Sequence, residues 1–461
     1  MKTKKIVLLL VLLLLNLAFR NPSASALEIT NNEVSLNFPD SITFSASFES
    51  DVPITAVELE YGVDALTCGT VIAKAFPQFE PATSVDVEWT WEMKQSGSLP
   101  PGATLWWQWR YADESGAEKV SEKETIIWLD SEHDWQTVTS GYLNLHWYKG
   151  NQVFAEDLLG TAEEGLVLLE EDAGLVPDYP INFYIYGDTE DMKDAILYEP
   201  TWTGGLAYPG NSIVIIGISG NGDLEWGRGT VKHELTHIVV GHLTFSCLGD
   251  VPTWLNEGLA VYNEGELDQN SARQLQDAID NDELFPLRTL NGGFSEDSIK
   301  ANLSYSQSYS VVKFMVETYG QEKVNLVLVA LRDGTAIDDA LITAYGFDVD
   351  GLEAEWRDAI HARPQQASAQ PTAQATPTFV PTYVPYAGES LLITPTPFDM
   401  PTSSPEKDSP ASDENGMLDP IALVLIYLCC CGGGILLFLS VGILIFFLVK
   451  KSKKGTENEK I

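Results

Sequence analysis

Two histidines and a glutamate have the types and spacing of a metal-dependent hydrolytic site. In the segment VKHELTHIVVGH, His233 and His237 are four residues apart, and Glu234 directly follows the first. On a helix, positions i and i+4 lie on one face, so both imidazoles can reach one metal ion. Glu234 is then placed to act as a general base on a water molecule at that ion. Burying these polar side chains in an apolar helix without partners would be costly, which favours a metal.

A third ligand candidate follows in the next predicted helix, VPTWLNEGLAVYNEG. Glu257 would complete a set of two histidines and one glutamate, leaving the fourth tetrahedral position of a Zn2+ ion to water. Glu264 lies two helical turns further along the same face. It is a candidate acceptor for the second N–H of a ligand histidine, and a solvated charge is an equal alternative. The other histidines lack this spacing, and we interpret them as surface or core residues: His133, His146, His242 and His361.

These motifs resemble those of the gluzincin metallopeptidases, the thermolysin-like clan with a two-histidine, one-glutamate zinc site. The WLNEG element is most similar to membrane-alanyl-aminopeptidase-type enzymes and the bacterial peptidase MA-like families. The resemblance covers about residues 135–362 and implies zinc-dependent hydrolysis of a peptide or protein substrate.

The segment LSYSQSYSVVKFMVETYG resembles the part of those aminopeptidases that carries a transition-state tyrosine. The resemblance implies that Tyr305 has this catalytic role. Gln307 and Ser308 replace the residues that usually follow, and Tyr309 is the alternative.

One departure from the aminopeptidases bears on the substrate. Their Gly-x-Met-Glu-Asn element holds the free amino group of the substrate, whereas TGGLAYPGN has no acid between Gly204 and Asn211. We therefore expect an endopeptidase rather than an aminopeptidase. The stretch is also a candidate edge strand for backbone pairing with an extended peptide. The alternative function is non-enzymatic: a cell-surface binding or adhesion protein on a degenerate peptidase fold. The intact ligand set weighs against this alternative.

Two globular regions are expected to position these residues. In residues 27–132, separate short runs such as SITFSASFES, VELEYG and SVDVEWTWEM alternate in polarity, which predicts an all-β, immunoglobulin-like antiparallel sandwich. We interpret most of its tryptophans as core residues, with a carbohydrate-stacking platform as the alternative. Residues 133–363 show strand patterns followed by helical ones, which predicts an α+β zincin-type peptidase domain. Cys68 and Cys247 either join the two regions by a disulfide or remain buried thiols.

The two ends of the chain predict export and anchoring in a lipid bilayer. Residues 1–26 combine a basic start, an aliphatic run and Ala-Ser-Ala, the pattern of a secretory signal peptide. Residues 364–418 are rich in Pro, Thr and Ser, which predicts a disordered linker, or alternatively a Pro-rich docking peptide. Residues 419–449 predict a transmembrane helix, and the Lys-rich residues 450–461 a cytoplasmic tail. Together they predict a type I cell-membrane protein with an extracellular catalytic region.

The composition excludes two classes of protein. The chain has 66 Asp and Glu against 27 Lys and Arg, a net charge of −39, so nucleic-acid binding is not expected. Its hydrophobic content of 44% is too high for a generally disordered chain. The sequence leaves open the cleavage preference, the role of the sandwich and the oligomeric state.

Overall fold

The structure is a computed structural model that describes residues 27–96, 99–173, 177–196, 204–220 and 224–365. The predicted signal peptide, transmembrane helix and tail lie outside these residues, as does the predicted linker from residue 366 onward. None of the helices described is both long and apolar enough to cross a membrane.

Among the described residues, the N-terminal region contains seven strands, whose apolar residues alternate with polar ones as the sequence pattern predicts. In chain order they are β1 (Glu28–Asn37), β2 (Ser41–Val63), β3 (Ala73–Ala75), β4 (Ala82–Glu92), β5 (Ala103–Asp113), β6 (Glu118–Val120) and β7 (Glu124–Trp128). A single helical turn, α1 (Met93–Ser96), follows β4. The first half of β2 pairs with β1 and β4, and its second half pairs with β3 and β5. The pairings are all antiparallel, so the predicted β-rich N-terminal region is present.

The long strand β2 differs from the prediction of separate short strands. Its 23 residues include both SITFSASFES and VELEYG, which the sequence pattern assigns to different strands. The pairing register with β4 shifts between Glu49 and Ile54, around Pro53. Proline cannot donate a ladder hydrogen bond, so it sits where the strand leaves one set of partners for the next.

Aromatic side chains fill the space between the two halves of this region. Phe44 packs on Trp107, and Phe48 packs on Trp109, with ring centroids 5.8 and 5.9 Å apart. Trp107, Trp109 and Trp128 are buried, whereas Trp89 and Trp91 are half-buried against Tyr61. These tryptophans therefore serve mainly as core residues.

A second sheet, with five strands among the described residues, follows the β-rich N-terminal region. Its strands are β8 (Gln136–Ser140), β9 (Leu143–Trp147), β10 (Ile181–Tyr186), β11 (Gly205–Tyr208) and β12 (Ile213–Gly217), in the order β11-β12-β10-β9-β8. β10 runs parallel to β9 and β12, while β11 is an antiparallel edge strand. Alternate residues of β10 belong to different cores: Tyr184 and Tyr186 pack with the N-terminal region, and Phe183 and Ile185 pack with the helices. The sheet thus separates the N-terminal region from the helices.

The helices lie mostly after the strands, as the sequence pattern predicts. They are α2 (Gln152–Ala173), α3 (Thr189–Asp194), α4 (Leu224–Leu243), α5 (Thr253–Glu264), α6 (Gln269–Asn281), α7 (Ser298–Tyr319), α8 (Gln321–Arg332), α9 (Ile337–Tyr345) and α10 (Val349–Ala359). Helix α4 packs on the sheet through Val231, Leu235 and Ile238, and its Val240 joins the core of the later helices. This leaves another face of α4 for polar residues.

The N-terminal region is tied to the rest of the described chain by a disulfide to the connection between α4 and α5 and by hydrogen bonds to the turn after β11. Cys68 and Cys247 form a disulfide, so the bridged alternative is the one that the structure contains. Beside it, Leu66 N donates to Gly210 O at 2.7 Å, and Asn211 Nδ2 donates to Asp64 O at 3.1 Å. These contacts hold the turn that follows the edge strand β11.

Candidate active site

Helices α4 and α5 carry the site and are fixed against each other by polar and close contacts. The buried Asn263 Nδ2 of α5 donates to Thr236 Oγ1 of α4 at 2.8 Å. On the other side of α5, a Cβ at Gly258 would lie 2.5 Å from Ser308 O of α7, so only glycine permits this approach. Helix α5 begins at Thr253, directly after Pro252, as the sequence pattern predicts.

The structure brings the three ligand candidates together. Glu257 Oε2 lies 3.4 Å from His233 Nε2 and 3.3 Å from His237 Nε2. Yet this oxygen is buried and makes no hydrogen bond of ordinary geometry with any described residue. Ligand atoms about 2.0–2.1 Å from a tetrahedral zinc ion lie roughly 3.4 Å from one another. The donor set therefore fits Zn2+, and the three converging atoms belong to His233, His237 and Glu257.

The two imidazoles differ in what holds their second nitrogen. His233 Nδ1 lies 2.7 Å from Glu264 Oε1, so the Glu264 carboxylate can accept its N–H and fix the ring. His237 Nδ1 is buried and has no hydrogen-bond partner within the described part of the chain. Glu264 is thus placed to orient His233, which is one of the two ligand histidines.

Glu234 is the most deeply buried carboxylate at the cleft surface. Its residue is 7% exposed, and no described residue forms a hydrogen bond with its carboxylate. A Cβ at Gly205 would lie 2.6 Å from Thr230 Cγ2 and 2.9 Å from Glu234 Oε1, so a larger residue here would displace one of these side chains. Burial raises the pKa of Glu234 above its ordinary value, and the charges of His233 and His237 oppose this only in part.

The ligand candidates influence each other's protonation. Burial disfavours the charged forms of His233 and Glu257, but their contacts outweigh it. Contacts with Glu257 and Glu264 raise the pKa of His233 to about 10, and contacts with His233 and His237 lower the pKa of Glu257 to about 2. A metal ion that binds here therefore competes with a proton on His233.

Of the two tyrosine candidates, Tyr305 lines the cleft. Its ring lies 6.2 Å from that of His233 and packs edge-on against Phe294 at 5.0 Å. Burial, with the nearby carboxylates adding to it, raises the pKa of Tyr305, so its phenol stays protonated and able to donate. Tyr309 instead donates to Glu266 Oε2 at 3.1 Å, and Gln307 bonds to both backbone groups of Phe285. The side chains of Tyr309 and Gln307 are therefore engaged in hydrogen bonds within the fold and do not line the described cleft.

A cleft of about 790 Å³ opens beside His233, Glu234 and Tyr305. Its walls include Gly204 and Gly205, the first turns of α4, and the connection between α5 and α6. Sequence reasoning missed Trp226, which lies on this wall with 46% of its surface exposed. Nothing in its sequence neighbourhood marks it, because an exposed tryptophan at a helix start has no periodic pattern. The four other histidines are absent from the described lining.

Comparison with known proteins points to the same region. The family model for the Peptidase MA superfamily matches residues 161–362, the part that contains the ligand candidates and Tyr305. This match supports a zincin-like, peptidase-type catalytic region. No curated protein sequence matches the chain significantly.

Solved structures give weak similarities over parts of the chain. Aminopeptidase A of Legionella pneumophila, in complex with aspartic acid, is 11% identical over 74% of this chain and 50% of its own, with a TM-score of 0.32. Catalytically inactive OgpA of Akkermansia muciniphila, with an O-glycopeptide substrate, is 12% identical over 23% of this chain and 29% of its own, with a TM-score of 0.18. BC0361, a polysaccharide deacetylase of Bacillus cereus, is 10% identical over 39% and 58%, with a TM-score of 0.18. The chain thus spans between 29% and 58% of the lengths of these proteins.

Proposed function

We propose that residues 133–363 form a zinc-dependent metallopeptidase of the gluzincin type that hydrolyses peptide bonds. The observation that carries the proposal is the convergence of His233, His237 and Glu257 on one point, with Glu257 Oε2 buried and lacking a hydrogen bond of ordinary geometry from any described residue. A buried polar atom in this state is costly unless a ligand satisfies it. The cleft beside this point gives a substrate access to it.

The proposed roles follow from the placement of each side chain. Nε2 of His233, Nε2 of His237 and the Glu257 carboxylate hold the ion, and Glu264 orients His233. When bound, zinc supplies Lewis-acid chemistry: it polarises the scissile carbonyl and lowers the pKa of water.

Glu234 moves the proton. It takes one from the attacking water and delivers it to the leaving amine, and the raised pKa that burial gives it suits a group that both accepts and donates. Tyr305, kept protonated, donates a hydrogen bond to the oxygen on which negative charge develops.

The position of β11 at the edge of its sheet supports an endopeptidase. β11 is an edge strand of the five-stranded sheet, and its first residue approaches Glu234. An extended peptide can add to such an edge without using its termini. No acid stands between Gly204 and Asn211 to hold a free amino group. The proposal therefore favours cleavage within a chain.

The cellular location is proposed from the two terminal segments of the sequence. A signal peptide at residues 1–26 and a membrane helix at 419–449 would make this a type I protein of the cell membrane, with the catalytic region outside. The Cys68–Cys247 disulfide supports an oxidising exterior.

Chelation tests the proposal. The purified full chain is incubated with a peptide library before chelation, after it, and after zinc is returned. We expect cleavage that chelation abolishes and zinc restores, at equal rates for free and N-acetylated peptides. Cleavage unaffected by chelation would refute zinc dependence. A chain that retains zinc and cleaves nothing would favour the surface-binding alternative.

A further inference from the structure

The charged side chains that line the cleft are of one sign. Apart from His233, the charged residues in its described lining are all acidic: Glu225, Glu234, Glu264, Glu266 and Asp268. No lysine or arginine occurs among those lining residues. They come from two separate parts of the chain, helix α4 and the end of α5 with the connection that follows it.

Basic partners of two of these acids lie outside the described lining. Arg228 pairs with Glu225 at 2.5 Å, and Lys313 pairs with Glu266 at 2.6 Å, but neither basic residue lines the cleft. Asp268 accepts hydrogen bonds from the backbone N–H groups of Asn270 and Ser271 at the start of α6. The carboxylates thus line the cleft, whereas the basic side chains that pair with two of them are not among the described lining residues.

Trp226 adds a second feature that suits a cation. It follows Glu225 directly, both line the cleft, and the indole packs against Gly204, where a Cβ would meet its ring at 2.6 Å. An exposed indole face beside a carboxylate can receive a guanidinium or ammonium group by cation–π and ionic attraction together. In addition, Glu234 is a deeply buried carboxylate at the cleft with no hydrogen bond from the described residues.

A cleft lined by one sign of charge concentrates ligands of the opposite sign. Such fields raise association rates by about 10- to 1,000-fold and weaken as salt rises. The net charge of the whole chain, −39, acts in the same direction.

We propose that the cleft selects cationic peptides, with lysine or arginine side chains near the scissile bond, and rejects acidic ones. This rests on the proposed peptidase function and names its substrate class. The positive charge that is recognised belongs to the substrate's side chains rather than to its amino terminus.

The test uses N-acetylated fluorogenic peptides with the same central sequence, flanked by two lysines or by two glutamates. With the zinc-loaded full chain, we expect kcat/KM to be about tenfold or more higher for the lysine peptide at low salt, and the ratio to shrink as salt rises. Equal rates, or preference for the glutamate peptide, would overturn the inference. If neither peptide is cleaved, the proposed function fails, and anisotropy measurements of the binding of both peptides still decide the charge preference.

Two matched variants locate the effect. Asp268→Asn removes a cleft charge but keeps the helix cap, because Asn caps about as well as Asp. Asp297→Asn changes the equivalent capping residue of α7, which is not in the described lining. We expect the lysine-to-glutamate ratio to fall about threefold in Asp268→Asn at low salt and to stay unchanged in Asp297→Asn. Equal ratios in the two variants would show that the preference does not arise in this cleft.

Discussion

Two buried glutamates, one in the β-rich N-terminal region and one at the cleft, have opposite surroundings. Glu60 of β2 is 4% exposed and accepts from Gln108 Nε2 at 2.6 Å and Lys74 Nζ at 3.1 Å, with Arg110 3.5 Å away. Glu234 of α4 is buried almost as well, but no described residue donates to it. The hydrogen bonds from Gln108 and Lys74 lower the pKa of Glu60 to about 2, whereas burial raises that of Glu234.

This contrast separates a structural carboxylate from a functional one. A buried polar group is normally satisfied within the fold, because leaving it unpaired costs about 1–3 kcal/mol. The N-terminal region follows that rule at Glu60. The site beside the cleft breaks it at Glu257 Oε2 and at His237 Nδ1, which are buried and have no hydrogen-bond partner among the described residues. Unpaired buried groups next to the cleft-lining Glu234 indicate a ligand that completes them.

Replacing Glu234 by Gln should give the largest effect. The amide fills the same space but cannot carry the proton, so we expect kcat/KM to fall about 100- to 10,000-fold while zinc content stays at the wild-type level. Peptidase assays with metal analysis of the same sample measure both. Normal cleavage by this variant would show that Glu234 is not the base.

Tyr305→Phe comes next in size. Loss of one hydrogen-bond donor to a developing oxyanion costs about 100- to 1,000-fold in kcat. We expect KM to change little, because the interaction forms only in the transition state. Tyr309→Phe is the matched control, since its hydroxyl is engaged by Glu266 and Lys313. If Tyr309→Phe proved the slower enzyme, the two tyrosines would have to exchange roles.

Glu264→Gln tests the orienting carboxylate. Such partners typically contribute about 10- to 100-fold in metal affinity, so zinc dissociation constants from competition titrations should rise by that factor. Glu266→Gln, two residues away and paired with Lys313, should bind zinc as the wild type does. Unchanged affinity in Glu264→Gln would make its contact with His233 incidental.

Glu60→Gln tests the structural carboxylate of the comparison and should have the smallest effect. We expect it to lower the free energy of unfolding at neutral pH by about 1–2 kcal/mol and to leave kcat/KM unchanged. Because the folded pKa lies below the unfolded one, Glu60 stabilises the protein above about pH 4.5, and this stabilisation is lost as pH falls toward 2. Denaturant titrations should therefore show the variant and wild type converging at acid pH. A difference that is constant with pH would contradict this account of Glu60.

The sequence predicted the elements of the site better than their packing. The four-residue spacing of His233 and His237, and the apolar residues around them, are enough to place both on one helical face. Glu257 is predicted by the next helix, whose start is marked by Pro252. By contrast, Trp226 and Glu225 reach the cleft only because α4 is oriented by the sheet, a tertiary relation that no local pattern contains.

For the fold too, the sequence predicts the elements better than their packing. Period-2 alternation predicts the strands of the N-terminal region, but not that β2 runs through both parts of it. A proline within an apolar run normally marks a boundary, and only the exchange of pairing partners around Pro53 lets the strand continue. The spacing of Cys68 and Cys247 could not decide whether they pair, because a disulfide depends on a distance, here 5.6 Å between Cα atoms, that tertiary structure sets.

The most direct test of the central claim is the zinc content of the full chain after exposure to limiting zinc and dialysis, compared with that of His237→Ala and of Glu60→Gln. Circular dichroism on each sample verifies that it is folded. We predict one zinc ion per chain in the wild type and in Glu60→Gln, and none retained by folded His237→Ala. Equal zinc retention by wild type and His237→Ala would contradict the account.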